Sequence, residues 1–343
     1  MRSYGRIAVA LVLALVAAAA SVGCRGSSGD DPRTLTLYSG QQERTTARLV
    51  AAFEKQTGLE VNVRTDDEAV LANDIAGART KRSADVFYSE NTPPLRLLEI
   101  KRLLAPVSPT TMAKVDYRWR STAGDWVGVS ARINVMDYNT DKLKPTELPT
   151  SVMDLAEPEW KGKIGIAPRD TDFHSVVTAI LRTNGADRTL EWLQGIKANA
   201  GSYVYSDNAV LSDAINRGQV ELGLVNHYSW FRERAKVGAA HVRSAIAFLR
   251  PLDPGYLLDI SGAAVVRSTH SPAAAQKLVA FLVSRAGAKI IAAGDSYEYP
   301  LGSNVKAAQG LPEFNSLQPT PLSFNDLGDG TRAVELLREV ALL

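Results

Sequence analysis

The sequence predicts an α/β fold in two lobes, each a mainly parallel sheet flanked by helices, joined by two hinge strands. Three observations carry that prediction. Period-2 apolar runs alternate with helical patterns from Thr34 onward, polar residues collect where those runs stop, and the alternation restarts mid-chain with different content. Thr34 to Tyr38 alternates as a strand. Thr45 to Gln56 carries Ala47, Val50, Ala51 and Phe53 at helical spacing, and Gly58 comes after it as a stop. Leu59 to Val63 is a second strand, completing a strand–helix–strand unit. Ala69 to Lys81 predicts a helix, Ala84 to Tyr88 a buried strand and Pro94 to Lys101 a helix. In the second half, Trp126 to Val135 predicts a strand able to carry the chain between lobes, and Lys163 to Ala167 a short strand. Ser175 to Arg182, Arg188 to Ala198 and Ala209 to Asn216 predict helices, the last opened by a cap at Ser206 to Asn208. Gln219 to Val225 is a strand, His241 to Leu252 a second crossing, Ser261 to Val266 a strand and Pro272 to Ala293 one long helix. This places lobe 1 at 33–131 and 253–300 and lobe 2 at 132–252 and 301–343.

The start of the chain reads differently. Residues 1–23 combine Arg2 and Arg6 with an apolar run from Ile7 to about Ala20, the layout of a secretory signal. The run is shorter than the ~20 residues of a comfortable membrane span. Ser-Val-Gly-Cys24 resembles the lipobox of bacterial lipoproteins, which makes Cys24 the lipidated first residue of the mature chain and residues 24–32 a polar tether. Removing Arg2 and Arg6 leaves 37 basic against 37 acidic residues. A balance near zero disfavours nucleic acid and anionic membrane surfaces as partners, so membrane contact is expected through the lipid anchor only. Cys24 is the single cysteine, which excludes disulfides and thiolate metal clusters.

Ligands on sheets of this type sit at the carboxyl ends of strands. Three such ends stand out: Ser39 to Gln42, Ser89 to Asn91 and Asn226 to Ser229. Glu90 and Tyr228 lie at two of them, on opposing lobes, and carboxylate and phenolate oxygens are the donors a hard trivalent cation prefers. A phenol pKa of ~10 is no obstacle, because a bound metal displaces the proton. Asn208 opens a helix, whose free N–H groups attract anions, and Arg169 to Thr171 follow a short strand. No phosphate-binding loop, nucleophile elbow or zinc-protease motif is present, so catalysis is not expected.

Leu35 to Gln42, Ala84 to Glu90, Asn208 to Gly218, Leu224 to Trp230, Asp259 to Ala263 and Tyr297 to Pro300 together resemble the ferric-ion-binding proteins of bacterial ABC importers, over nearly the whole mature chain. The resemblance implies a type II periplasmic-binding-protein fold, ferric iron as cargo together with a phosphate- or carbonate-like anion, and delivery to an ABC permease from the outer face of the cytoplasmic membrane, by a monomer. It implies Glu90 and Tyr228 as iron ligands and Asn208 and Asn226, with Arg169 and Thr171, as anion holders. The sequence departs from the family in two places: Gln42 stands where relatives have histidine, and Ser229 where a second tyrosine is expected. Both become weak or water-mediated contacts, with His227 a further weak, second-sphere or structural group and His174 a neighbour of the site. Glu233 is expected at the surface, toward solvent or the permease. The same scaffold taking an organic anion, a phosphonate or phosphorylated sugar, without metal is the alternative reading.

Overall fold

The computed structural model describes residues 33–78, 84–308, 310–322 and 324–343. The expected signal, Cys24 and the tether lie outside the described residues, as does the end of the helix expected over Ala69 to Lys81. Arg33–Leu343 forms one compact unit. Its elements run β1 (Thr34–Ser39), α1 (Glu43–Thr57), β2 (Glu60–Thr65), α2 (Glu68–Ala78), β3 (Val86–Ser89), α3 (Thr92–Ile100), β4 (Leu104–Ala105), α4 (Pro109–Met112) and β5 (Trp126–Asn139). Next come β6 (Ile164–Gly165), α5 (Thr171–Asn184), α6 (Ala186–Ala200), α7 (Asn208–Asn216), β7 (Leu222–Asn226), α8 (His227–Val237) and β8 (Ser244–Ala247). The chain ends with β9 (Leu258–Val266), α9 (Pro272–Leu282), α10 (Arg285–Ala293), β10 (Tyr299–Pro300), α11 (Phe324–Leu327) and α12 (Thr331–Glu339).

The strands lie in the order β2-β1-β3-β9-β5-β7-β6, with β8 and β10 on β5 and β4 on β9. β1 pairs in parallel with β2 and β3, and β6 with β7. β9 inserts antiparallel between β3 and β5, and β5 is antiparallel to β7, so the sheets are mixed and not mainly parallel. The cause is topological: β9 returns to the first sheet after the elements from β6 to β8, and no helical crossover forces it to run parallel. β5 joins the two regions. Trp126–Ile133 pairs with β9, while Asn134–Tyr138 pairs with β7. One apolar cluster (Leu37, Leu49, Phe53, Leu278, Ile291) packs α1, α9 and α10 on the first sheet. A larger one runs from Phe87 and Leu95 through Ile133 to Val176, Trp192 and Leu222.

The long helix expected over Pro272 to Ala293 is two helices, α9 and α10. Ser284 starts the second by accepting a hydrogen bond from the Gly287 N–H, and a side chain at Gly287 would meet the Phe281 carbonyl at 2.5 Å. A second close approach shapes the site. A Cβ on Gly40 would lie 2.4 Å from the Glu68 Cβ, so glycine lets the end of β1 pass against the start of α2.

Candidate functional site

The middle of β5 alternates polar Ser130, Arg132 and Asn134 with apolar Ala131, Ile133 and Val135, and every one of these residues is buried. Arg132 is the hub of a polar cluster. Its Nη1 donates to Ser261 Oγ on β9 (2.8 Å), and its Nη2 donates to Asn91 Oδ1 (2.6 Å) and Asp172 Oδ1 (3.1 Å). Glu90 Oε1 and Glu298 Oε1 stand 3.8 and 3.7 Å from Nη1. Burial alone would lower the guanidinium pKa, but Asp172, Glu90, Glu298 and Asp259 outweigh it and hold Arg132 firmly charged.

Each strand end contributes a wall to this cluster. After β3, Glu90 faces Arg132, and Asn91 caps no helix with its side chain; its amide instead reaches Glu68 Oε1 (3.1 Å), Thr171 Oγ1 (3.1 Å) and Asp172 Oδ1 (3.2 Å). Glu68 in turn accepts from Ser89 Oγ (2.7 Å) and the Asn91 N–H (2.7 Å). After β1, Gln41 reaches across to Ser261 Oγ (2.7 Å) and Glu298 Oε1 (3.2 Å). At the start of α5, Asp170 caps the helix and Asp172 lies in its first turn. Asp172 Oδ2 accepts from Asn208 Nδ2 (3.0 Å), and the Asn208 N–H donates to Asp170 Oδ2 (2.9 Å). After β7, Tyr228 opens α8 and is buried, its hydroxyl 3.5 Å from Asp172 Oδ2, too far for a strong hydrogen bond. The guanidinium of Arg232 lies 4.9 Å from the Tyr228 ring centroid.

The structure thus brings Glu90 and Tyr228 into one cluster, linked through Asp172 and Arg132. The other sequence-derived candidates take different places. Gln42 and Ser229 line a common cleft of about 570 Å³ with Arg232, Asp295 and Tyr297. Both Gln42 amide atoms, Ser229 Oγ, Glu90 Oε1 and Asn226 Oδ1 are buried without a hydrogen-bond partner. Thr171 meets the cluster through Asn91, whereas Arg169 is exposed. Asn226 donates to Asp259 Oδ2 (3.2 Å), which also accepts from Asn134 (3.0 Å). Both ring nitrogens of His227 are engaged within the protein: Nδ1 accepts from the Ile133 N–H (3.2 Å) and Nε2 donates to the Tyr297 carbonyl (2.7 Å). Burial lowers its pKa to about 4, so it is neutral. His174 is likewise spoken for, by the Pro168 carbonyl at 2.9 Å. Glu233, expected at the surface, is buried and accepts from Asn216 (3.3 Å) and Lys236 (3.0 Å).

Electrostatically the cluster is unbalanced. Six acidic side chains, Glu68, Glu90, Asp170, Asp172, Asp259 and Glu298, surround the guanidinium of Arg132, and Arg232 acts on Glu298 as a second cation. Burial pushes Glu90 well above the carboxylate range; Arg132 pulls it back, while Asp172, Glu68 and Glu298 push it further up. Glu68, Asp170, Asp259 and Glu298 are raised too, burial first among the causes. Burial, then the charges of Asp172 and Glu90, raise the Tyr228 phenol. Among the described residues, no three His, Cys, Asp or Glu side chains already stand in metal-holding geometry; the guanidinium is interposed among them. Arg132 and Asp172 are site residues that strand ends and motifs do not single out, and Gln41 sits in a strand end where its neighbour Gln42 draws the attention. The available signal is a charge in mid-strand, in Val129-Ser-Ala-Arg-Ile-Asn134, with its polar neighbours at period 2.

This fold, with a buried polar cluster held between elements of two joined sheets, defines an extracytoplasmic solute-binding protein of the type II periplasmic class, which captures and releases without catalysis. Residues 81–322 match the family described as bacterial extracellular solute-binding protein, and the chain belongs to that family. It is 32% identical over 321 residues to the Fe(3+)-binding periplasmic protein of Serratia marcescens, covering 94% of each chain. It is 33% identical over 310 residues to the major ferric iron-binding protein of Neisseria meningitidis, covering 90% of this chain and 93% of that one. Iron-bound HitA from Pseudomonas aeruginosa superposes with a TM-score of 0.85 at 36% identity, over 90% of this chain and 99% of that one. The family implies an ABC permease as partner. No helix among the described residues is long and apolar enough to cross a membrane.

Proposed function

We propose that this chain captures ferric iron at the Glu90–Tyr228 cluster and delivers it to an ABC permease, with a small anion or water completing the metal's shell. The observation that carries this reading is the excess of acidic side chains, six against the guanidiniums of Arg132 and Arg232, in a cluster largely closed to water, with a Glu90 oxygen that makes no hydrogen bond and a phenol among them. Removing that many acids from water is costly unless a cation offsets them, and hard oxygen donors select a hard cation. The relatives named as ferric-binding proteins support the choice of metal. Binding displaces the Tyr228 proton to solvent, since only the phenolate is a strong donor. Gln42 and Ser229, unpartnered on the cleft side, contact the remaining positions directly or through water. An organic anion would meet the same acidic surplus as repulsion, which disfavours the metal-free alternative.

The division into lobes belongs to this proposal. Residues 33–131 with 253–300 form one lobe, 132–252 with 301–343 the other, and β5 is one of the hinge strands; its division between β9 and β7 supports this. Lipid anchoring through Cys24 and a monomeric state complete it. The test is titration of the metal-free mature protein with ferric citrate and with a panel of phosphonates, read by visible absorbance and thermal shift. Ferric iron is expected to give a phenolate-to-iron band and a raised melting temperature. A shift with a phosphonate and none with iron would reverse the assignment.

A further inference from the structure

Asp172 holds a place in the cluster that the ferric reading leaves without a role. Its carboxylate is almost fully buried and sits where anion donors converge: Arg132 Nη2 (3.1 Å) and Asn91 Nδ2 (3.2 Å) on Oδ1, Asn208 Nδ2 (3.0 Å) on Oδ2, in the first turn of α5. That is the environment of a bound anion, a helix N-terminus plus amide and guanidinium donors, occupied by the protein's own side chain. Oδ2 also faces the Tyr228 hydroxyl at 3.5 Å. Cis oxygens on a hard octahedral cation with bonds of about 2.1 Å lie about 3 Å apart, so small side-chain shifts bring both onto one ion. Glu90 Oε1, which makes no hydrogen bond and is held only by the 3.8 Å ion pair to Arg132, belongs to the same cluster and adds a second carboxylate oxygen free to meet a cation.

We infer that Asp172 is a third anionic ligand of the metal, a built-in anion held by Asn208, Asn91 and Arg132. This rests on the ferric reading and deepens it. With Glu90 and Tyr228, Asp172 supplies three negative charges to a trivalent ion from the chain itself. It makes up for the second tyrosine replaced by Ser229. A free anion then completes the shell from the Gln42–Ser229 cleft and is not what Asn208 holds.

The experiment uses the metal-free mature chain and ferric nitrilotriacetate, in buffer free of phosphate and carbonate and again with phosphate added. Affinity is read by citrate competition and the phenolate band. Wild type binds a single iron in both buffers. Asp172→Ala loses about 100-fold in affinity without phosphate, and phosphate restores its binding about 10-fold more than it strengthens wild type. Asp172→Glu, which keeps the carboxylate, stays within about 10-fold of wild type. Wild-type affinity in Asp172→Ala, or a phosphate response equal to that of wild type, overturns the inference and leaves the ferric reading standing. Absence of iron binding by wild type in either buffer overturns both. Should Asp172→Ala melt below the working temperature, Asp172→Asn, close in shape, carries the same comparison.

Discussion

The two walls of the polar cluster differ in how their groups are satisfied. On the wall built by α5, α7, β5 and the turn after β3, Asp172, Asn208, Asn91 and Arg132 are tied to one another at 2.6–3.2 Å. On the wall built by the turn after β1 and by α8, Gln42 and Ser229 present buried atoms with no partner, next to a cleft of about 570 Å³. A satisfied network costs nothing further when a ligand arrives and fixes its donors in place, whereas unsatisfied groups gain from whatever fills the space. The first wall is therefore the preorganised one, and on the ferric reading the second admits solvent or an anion.

Breaking the tied wall has the largest expected effect. Arg132→Met leaves six clustered acids without their shared cation and should cost about 3–5 kcal/mol, measured by urea unfolding of the metal-free protein. An unchanged midpoint would show that the acids are already neutralised by protons. Next is Tyr228→Phe, which should abolish the visible band and weaken iron binding at least about 100-fold. It should shift stability by no more than about 0.5 kcal/mol, because the hydroxyl makes only a 3.5 Å contact. Filling the open wall should act in the opposite direction. Ser229→Tyr is expected to tighten iron binding about 10-fold and to intensify the band, and loss of binding would mean that the cleft is needed for entry.

The smallest effect lies outside both walls and shows what a buried carboxyl costs alone. Burial raises Asp137, beside the hydroxyls of Ser212 and Ser244, to about 8. Its folded-state pKa is thus above the unfolded value of about 4. Stability associated with its proton is fully present below about pH 4 and is lost as pH rises toward and through 8. Asp137→Asn should therefore raise the melting temperature by a few degrees at pH 8.5 and by progressively less toward pH 5. Equal gains at both pH values would contradict the assignment.

The contrast between the walls also explains which residues are legible in the sequence. Gln42, Glu90, Tyr228 and Ser229 stand out because period-2 runs stop beside them, and strand ends are where such folds place ligands. Arg132 is hidden inside a run that reads as a hinge strand, although a charge between Ala131 and Ile133 is a signal that it must find partners. Asp172 is disguised by its position in a helix start, where a carboxylate is ordinarily a dipole partner. The direction of β9 and the use of both His227 nitrogens by Ile133 and Tyr297 depend on pairings distant in sequence, and no local pattern encodes those. The break between α9 and α10 is encoded by Ser284, but the continuous apolar periodicity around it obscures the cap.

At the heart of the ferric reading, carboxylate and phenolate oxygens from separate elements close on one metal ion. The decisive measurement is a crystal structure of the iron-loaded protein, with the metal located by its anomalous scattering. Iron is expected at bonding distance, about 2 Å, from Tyr228 Oη and a Glu90 oxygen, with an Asp172 oxygen completing the set. Iron bound elsewhere, with the Tyr228 hydroxyl still facing Asp172, would contradict it.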